Sequence, residues 1–433
     1  MSRGTGYAAQ SLPSVIIVGG GFAGIAAAKA LRKSPVKVLL IDKVNHSLFQ
    51  PLLYEVAGAV LDGGDIAFPI RAEFRNQKNI VVAMAELTGI DKSSKSVHVT
   101  NWPRPLVYDY LILATGVEVS YFGHEEWATH APGMKTLSEG VKLRSMILKA
   151  FEDAERLEDP QSHQELTTFV LVGAGPTGCE LAGNLAEMFR YTMKSDFRRF
   201  SPEMARIVLV EAGPRVLPMF SPELSEKARI KLDQLGVEVR LGHAVQQIDA
   251  EGLTVGGERI RSRNIIWSAG VRATTVGKWL GVGTDRLGRI KVAPDLTIPG
   301  HPSIFVVGDA AEIMQNGRAL PGLAPVAIQS GRYAGEVIAR KVAGKPVSPP
   351  FVYLDKGMLA TISRNWAAME LGRLKLTGPI AKLAWAFVHI FSLLQTEDRM
   401  VVFLKWFYTY LTNKRGTRLI EKPIKEERKA ADE

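Results

Sequence analysis

Two glycine-rich turns, each ending a short apolar run, constrain this chain more than any other feature. Residues 14–24 read SVIIVGGGFAG, and residues 168–180 read TFVLVGAGPTGCE. In both, a buried parallel strand (15–18, then 169–172) meets a glycine triplet and passes into a helix-like pattern (25–31, then 180–188). The first glycine, Gly19 or Gly173, permits a tight turn. The second, Gly21 or Gly175, lets a pyrophosphate approach the backbone. The third, Gly24 or Gly178, lets the helix pack on the strand. Each helix N-terminus then faces phosphates. A strand at 36–41 ends in Asp42, where a ribose hydroxyl binds. A strand at 207–210 ends in Glu211. That acid favours NAD over NADP because it repels a 2′-phosphate, although Arg215 is close by. Glu211 lies further from Gly173 than the usual ~20 residues, and a basic, aromatic segment at 190–200 accounts for the excess. Two nucleotide sites with no other catalytic signature between them imply that electrons pass from one cofactor to another.

Each fingerprint has a matching closing turn downstream. The strand 110–113 ends in Ala114-Thr115-Gly116, and the apolar run 265–268 ends in Ala269-Gly270. Small residues there suit a backbone packed against a bound cofactor. A further buried strand, 303–307, ends in Gly308-Asp309. The acid suits a sugar-alcohol hydroxyl or a ribityl chain, or a helix N-cap. Residues 321–331, PGLAPVAIQSG, lead into a helix at 330–342, whose N-terminus suits an electron-poor carbonyl or the pyrimidine end of a flavin. Residues 137–157 read as a helix broken at Asp159-Pro160-Gln161. Residues 79–98 read as strands around a turn at Ser93-Ser94, and 46–70 as a buried loop with short helices serving packing. Glu180 falls in the first turn of the second helix. The helix dipole accounts for a carboxylate there, and so does a position facing a nicotinamide ring.

Composition narrows the class. A chain of 433 residues is too long for one core, so two or three domains are expected. The single cysteine, Cys179, excludes an intramolecular disulfide and fits a reducing compartment, with a packing role for the thiol. The N-terminal apolar run is too short for a signal peptide. The longest apolar stretch, 383–394, is well short of a bilayer span. The eight histidines show no ligand spacing, so no metal is expected. A net charge of +10 is compatible with nucleic acid or an anionic membrane and does not choose between them.

Together these segments resemble the two-dinucleotide-binding-domain flavoproteins. FQPLLYEVA (49–57), APVAIQSG (324–331), DKGMLATISR (355–364) and NKRGTRLI (413–420) resemble, within that superfamily, the type II NADH dehydrogenases. These are single-subunit NADH:quinone oxidoreductases that pump no protons. The resemblance spans residues 12–420. It implies an α/β fold of two Rossmann-like domains plus a C-terminal helical membrane-association segment. FAD, held non-covalently, would occupy 12–120 with 288–345, and NADH would occupy 121–287. Residues 346–420 would carry amphipathic helices, and 421–433 read as a disordered tail. By position, Asp309 and Ala327 would contact FAD, Glu180 would lie near the nicotinamide, and Lys356 near the flavin pyrimidine. Gln329 would belong to the quinone motif, in which Pro325 replaces a glutamine common in the family. The implied partners are a quinone of the respiratory chain and the membrane surface, not nucleic acid. The implied location is peripheral, on the cytoplasmic face of the cell membrane. Relatives that need a cysteine pair are excluded.

The expected membrane segment is 378–412. Ile380, Leu383, Ala384, Phe387, Phe391 and Leu394 form an apolar face, with Lys375, Lys382 and His389 on another. Met400, Phe403, Leu404, Phe407 and Leu411 form a second apolar side. Trp385, Trp406, Tyr408 and Tyr410 suit an interface, and Arg399, Lys405, Lys414, Arg415 and Arg418 suit anionic headgroups. A helical hairpin packed on its own protein, or on a second copy in a homodimer, is the competing reading. Two other functions share these features. One is an NADH-dependent reductase of a small electron-carrier protein. The other is a flavin-containing, NADH-responsive binding protein.

Overall fold

A computed structural model describes residues 12–158, 160–346 and 349–421. The chain forms two compact units. The first comprises residues up to 47, 68–118 and 271–355. The second comprises 48–67, 119–270 and 356 onward. Seven helices matter below: α1 (Phe22–Ala30), α2 (Leu53–Ala57), α3 (Leu137–Glu155), α4 (Pro176–Glu187), α5 (Ala324–Val342), α6 (Pro379–Ser392) and α7 (Thr396–Thr412).

The first unit is built on a six-stranded sheet. From one edge the strands are Thr297–Ile298, His301–Val306, Tyr110–Leu113, Ser14–Val18, Lys37–Asp42 and Ile80–Met84. All pairs are parallel except that of the edge strand Thr297–Ile298. Ile17 faces Leu40 on one side and Ile112 on the other, and all three are fully buried. This is why the first strand reads as a continuous apolar run. Helices α1 and α5 pack closely through small residues. A Cβ on Gly331 would overlap Ala23 O, and one on Gly335 would lie 2.6 Å from Ala27 O. Helix α5 begins at Ala324, six residues before the helix expected at 330–342. Pro325 sits in its first turn, where no intrahelical N–H bond is needed and the fixed φ suits the helix.

The second unit repeats the plan with four parallel strands, in the order Val237–Leu241, Arg206–Glu211, Thr168–Val172 and Asn264–Trp267. Helix α3 starts with a reciprocal cap between Thr136 and Glu139. The segment that lengthens the path to Glu211 is folded: Phe200 stacks on Phe151 and Phe197 lies tilted beside it, and Phe151 also meets Phe169 and Phe189. A three-stranded antiparallel sheet, Met358–Ser363, Trp366–Leu371 and Leu374–Gly378, precedes α6 and α7.

The apolar faces expected on the tail helices point outward, whereas the tryptophans and most of the cations do not. Leu383 is 74% exposed and Phe387 62%, and Ile380, Phe391, Phe403, Phe407 and Leu411 are exposed too. Trp385 is fully buried, stacked on His389 and close to Trp406. Lys382 turns inward as well, with Nζ 3.6 Å from the Trp385 ring centre. Trp385 is therefore internal and Trp406, half-buried, turns its N–H inward to Glu55, whereas Tyr408 and Tyr410 are exposed. Lys375 lies on the strand Leu374–Gly378 beside Glu223 and shares no helix with Lys382. Four of the five cations assigned to headgroups are used internally. Arg399 donates to Leu393 O, Lys405 pairs with Asp65, Arg418 pairs with Asp196, and Arg415 is buried. Lys414 is exposed. Of the charged tail, Glu421 is described and pairs with Arg144, while 422–433 lie outside the described residues.

Candidate functional site

The two glycine turns are built alike, down to individual hydrogen bonds. In the first unit Gly19 N donates to Ile41 O at 2.8 Å, and Ala114 N to Val18 O at 2.8 Å. In the second, Gly173 N donates to Val210 O at 2.7 Å, and Ser268 N to Val172 O at 2.8 Å. Gly19 (φ +106°) and Gly173 (φ +101°) occupy backbone space that favours glycine. A Cβ on Gly19 would overlap Ala114 O, and one on Gly173 would fall 2.7 Å from Ala269 N. The closing turns that end in Gly116 and Gly270 therefore pack against the first glycine of each fingerprint. Thr115 accepts a hydrogen bond from Thr274 Oγ1 at 2.9 Å.

The strand-end acids are used in the same way. Asp42 accepts from Gly20 N at 2.6 Å and from Val44 N at 2.9 Å. Glu211 accepts from Ala174 N at 2.8 Å and from Gly213 N at 2.8 Å. Each carboxylate thus holds the glycine turn in place while keeping lone pairs for a ligand hydroxyl. Gly24 and Gly178 have no room for a side chain, because a Cβ would overlap Gly19 O or Gly173 O. Gly21 and Gly175 differ: a Cβ on either meets nothing within 4 Å. Both are N-caps of helices, α1 and α4, and neither end has a side-chain cap. Open space before uncapped N–H groups is what a pyrophosphate needs.

Asp309 lies in the turn Gly308–Ala310 after the strand His301–Val306. Its carboxylate has no hydrogen-bond partner among the described residues. The Gly308 backbone N–H is held by Ser330 Oγ at 3.0 Å, and a Cβ on Gly308 would lie 3.2 Å from Ala23 and 3.4 Å from Ala327. Asp309 and Ala327 therefore join α1 at the glycine-turn end of the first unit. Gln329, on α5, donates to Leu354 O and accepts from Leu354 N, both at 2.9 Å. Lys356, in the second unit, is exposed at the approach to Met358–Ser363.

Glu180 lies on α4 and is 8% exposed. Its Oε1 accepts from Thr361 N at 3.3 Å, and Lys382 Nζ donates to Thr361 Oγ1 at 3.1 Å. Burial pushes the Glu180 carboxyl up to about 8, and the nearby Glu55 charge adds to this. Burial likewise lowers Lys382 to about 8. The Cys179 thiol is buried against Ala174 O at 3.3 Å and is raised by burial and by Glu180, which suits packing and not reactivity.

Three residues here lie outside the expected cofactor and quinone sites, and one of them, Arg415, was expected at anionic headgroups instead. Glu55, 5% exposed, accepts from Tyr54 OH at 3.1 Å and from Trp406 Nε1 at 2.6 Å. Asn184 and Arg415 bond one another at 2.6 Å. Glu55 had a visible signal: it is the lone charge in the apolar run LLYEVAGAVL. Arg415 had none, since it stands among other tail cations.

The model of the pyridine nucleotide-disulphide oxidoreductase family matches residues 13–331. The type II NADH:quinone oxidoreductase Ndh of Mycobacterium tuberculosis is 41% identical over 93% of this chain and 89% of its own length. This chain belongs to the type II NADH:quinone oxidoreductases. A staphylococcal member, from Staphylococcus haemolyticus, is 29% identical over 82% of the chain and 89% of its own length. The NDH2 of Plasmodium falciparum, solved with NADH, superposes with a TM-score of 0.85 at 19% identity, covering 95% of this chain and all of that one.

Proposed function

We propose that this chain oxidises NADH and reduces a membrane quinone, with FAD as its bound, non-covalent redox group. The observation that carries this reading is the duplicated glycine turn, each copy with an open second glycine before an uncapped helix. When bound, FAD supplies the chemistry by accepting a hydride equivalent from NADH and releasing two electrons to the quinone. The protein supplies binding, orientation and proton handling. In this reading, residues 12–120 and 288–345 hold FAD, 121–287 bind NADH, and 346–420 form the C-terminal segment. Gly19, Gly21, Gly24, Asp42, Ala114, Thr115, Gly116, Ala327 and Asp309 hold FAD, with Asp309 as the free acceptor for a ribityl hydroxyl. Gly173, Gly175, Gly178, Glu211, Ala269 and Gly270 hold NADH, and the Glu211 charge disfavours a 2′-phosphate. Glu180 lies on the helix that begins at the NADH turn and serves the nicotinamide end. Gln329 acts through the backbone at Leu354, two residues before Lys356, which is the exposed cation near the flavin.

Among the described residues, no helix is long and apolar enough to cross a membrane. Association is peripheral, through the outward apolar side chains of α6 and α7, on the cytoplasmic face. These side chains make a surface of the kind that buries itself at a lipid interface. A second copy covering the same face would appear as a dimer that detergent dissociates. The test is direct. Purified protein, FAD, NADH and a short-chain quinone are mixed, and NADH absorbance is followed. Quinone-dependent loss is expected. NADH oxidation that needs an added small electron-carrier protein would replace this reading with a carrier reductase.

A further inference from the structure

The chain leaves α7 as a strap, 413–421, that runs back over the second unit. Arg415, at 6% exposure, is its deepest residue. Its Nη1 donates to Gly58 O at 2.5 Å and to Asn184 Oδ1 at 2.6 Å, and its Nη2 to Asn184 O at 3.1 Å. Gly58 is the C-cap of α2, three residues after Glu55. Asn184 lies on α4, one turn after Glu180. A Cβ on Gly58 would overlap the Asn184 side chain, so the two helices touch where the guanidinium joins them.

The surrounding charges can be counted by element. Helix α2 brings Glu55 with the Tyr54 phenol, and α4 brings Glu180 and Glu187. The loop after Met358–Ser363 brings Arg364, whose backbone N–H donates to Glu187 at 3.0 Å. Helix α6 brings Lys382, with His389 beyond it, and α7 brings the Trp406 N–H. The strap brings Arg415. Burial raises all three carboxyls, and Arg415 opposes that rise at Glu55 and Glu187. Lys382 of α6 opposes the rise at all three, and Arg415 adds a further cation to Glu55 and Glu187 from outside the helices.

We propose that Arg415 is a positioning residue for the quinone-reducing reaction: it clamps α4 to α2, fixes the spacing of Glu55 and Glu180, and places a positive charge beside Glu55 and Glu187, so that the cluster can carry the exchangeable proton of that reaction. The strap thereby couples the tail helices to the reacting end of α4. The assignment rests on the proposed reaction only for the use made of that proton. The clamp and the charge balance stand without it.

The experiment reads protonation directly. The infrared C=O stretch of protonated carboxyl groups is titrated from pH 5 to 9 in the FAD-loaded protein, with no NADH or quinone present. Glu180→Gln identifies the Glu180 part of the signal. Arg415→Gln is expected to move the buried carboxyl titration up by about one pH unit and to enlarge it, because an opposite charge is lost. Arg415→Lys is expected to restore the wild-type midpoint. Asn184→Asp keeps the shape and sets a carboxylate against Arg415, cancelling its field, and is expected to give the same upward shift. It decides the matter if Arg415→Gln does not fold. A titration unmoved by Asn184→Asp, or by a folded Arg415→Gln, overturns the proposal. Failure of quinone turnover in the unaltered protein would overturn the proposed function and leave this titration unchanged.

Discussion

The Glu55 carboxylate accepts the indole N–H of Trp406 at 2.6 Å, tying helix α2 to a tail helix whose other face is apolar and exposed. Burial raises the Glu55 carboxyl, and this bond, with the Lys382 charge, opposes that rise. Trp406→Phe keeps the ring and removes the donor. A hydrogen bond to a charged, buried group is worth about 1.5–3 kcal/mol. The variant should melt at lower temperature, and the deficit should widen as pH rises and the unsupported carboxylate is forced to ionise. Thermal unfolding at pH 6 and pH 8 checks this. An equal deficit at both would show that Trp406 contributes packing alone.

Glu180 gives a pH dependence whose sign can be worked out. Unfolded, its carboxyl titrates near 4.5; folded, near about 8. Between those values the folded chain binds the extra proton, so stability falls as pH rises through that window and levels off above it. The penalty at neutral pH is on the order of 3 kcal/mol. Glu180→Gln keeps an acceptor for Thr361 N and removes the titration. It should match the wild type in melting temperature at pH 5 and exceed it by a few degrees at pH 8. Quinone-dependent turnover should fall while the protein gains stability. A variant less stable at pH 8 would contradict the assignment of that shift to Glu180.

Much of this arrangement was legible in the sequence because it depends on backbone geometry. Gly19 and Gly173 are required by positive φ, and Asp42 and Glu211 by strand ends that need an acceptor. Such needs are local and leave residue-type traces. The tail was less legible. Periodicity finds two faces on α6 and does not say which faces in, and here Lys382 and His389 face in, against Trp385. Arg415 and Arg418 stand three apart in one basic run, yet one reaches Gly58 and Asn184 and the other Asp196. Such long-range partners leave no local pattern. Pro325 looked like a departure within a binding motif. In the fold it is a residue suited to the first turn of α5.

Glycines of the second turn should separate folding from binding. Gly173→Ala places a Cβ 2.7 Å from Ala269 N at φ +101°, so strain and collision act together. A loss of several kcal/mol is expected, with lowered yield and melting temperature. Gly175→Ala meets nothing within 4 Å and has φ −70°. It should fold and melt like the wild type and retain FAD. Its methyl would occupy the space before the α4 N-terminus, so KM for NADH should rise at least about tenfold, a cost of about 1.4 kcal/mol. Unchanged NADH affinity in Gly175→Ala would remove that turn from the binding site.

Nucleotide choice should follow Glu211. Its two oxygens hold Ala174 N and Gly213 N, so Glu211→Ala loosens the turn and removes the negative charge together. Binding of NADH should weaken more than binding of NADPH. The 2′-phosphate is freed from repulsion as the ribose contact is lost, and a charge pair of this kind accounts for roughly tenfold in the ratio. Competition of the two nucleotides, read as separate KM values, measures it. Equal losses would mean that Glu211 only braces the loop.

The outward faces of α6 and α7 make the membrane assignment testable without touching the buried cluster. Leu383, Phe387 and Phe403 are each more than half exposed, and none belongs to the inward set of Lys382, Trp385, Lys405 and Trp406. Replacing all three by glutamate puts charge where lipid contact is proposed and leaves every internal ion pair intact. Exposed sites of this kind change stability by less than about 0.5 kcal/mol each. Flotation with anionic liposomes should show the wild type bound and the triple variant free, while turnover with a water-soluble short-chain quinone is kept. Turnover with a long-chain quinone embedded in the same liposomes should fall by at least about tenfold, because the enzyme and its substrate no longer share a surface. If the variant stays bound, another face of the protein meets the lipid. If it is released and the unaltered chain proves to be a dimer through this face, a second copy is the occupant of the apolar surface.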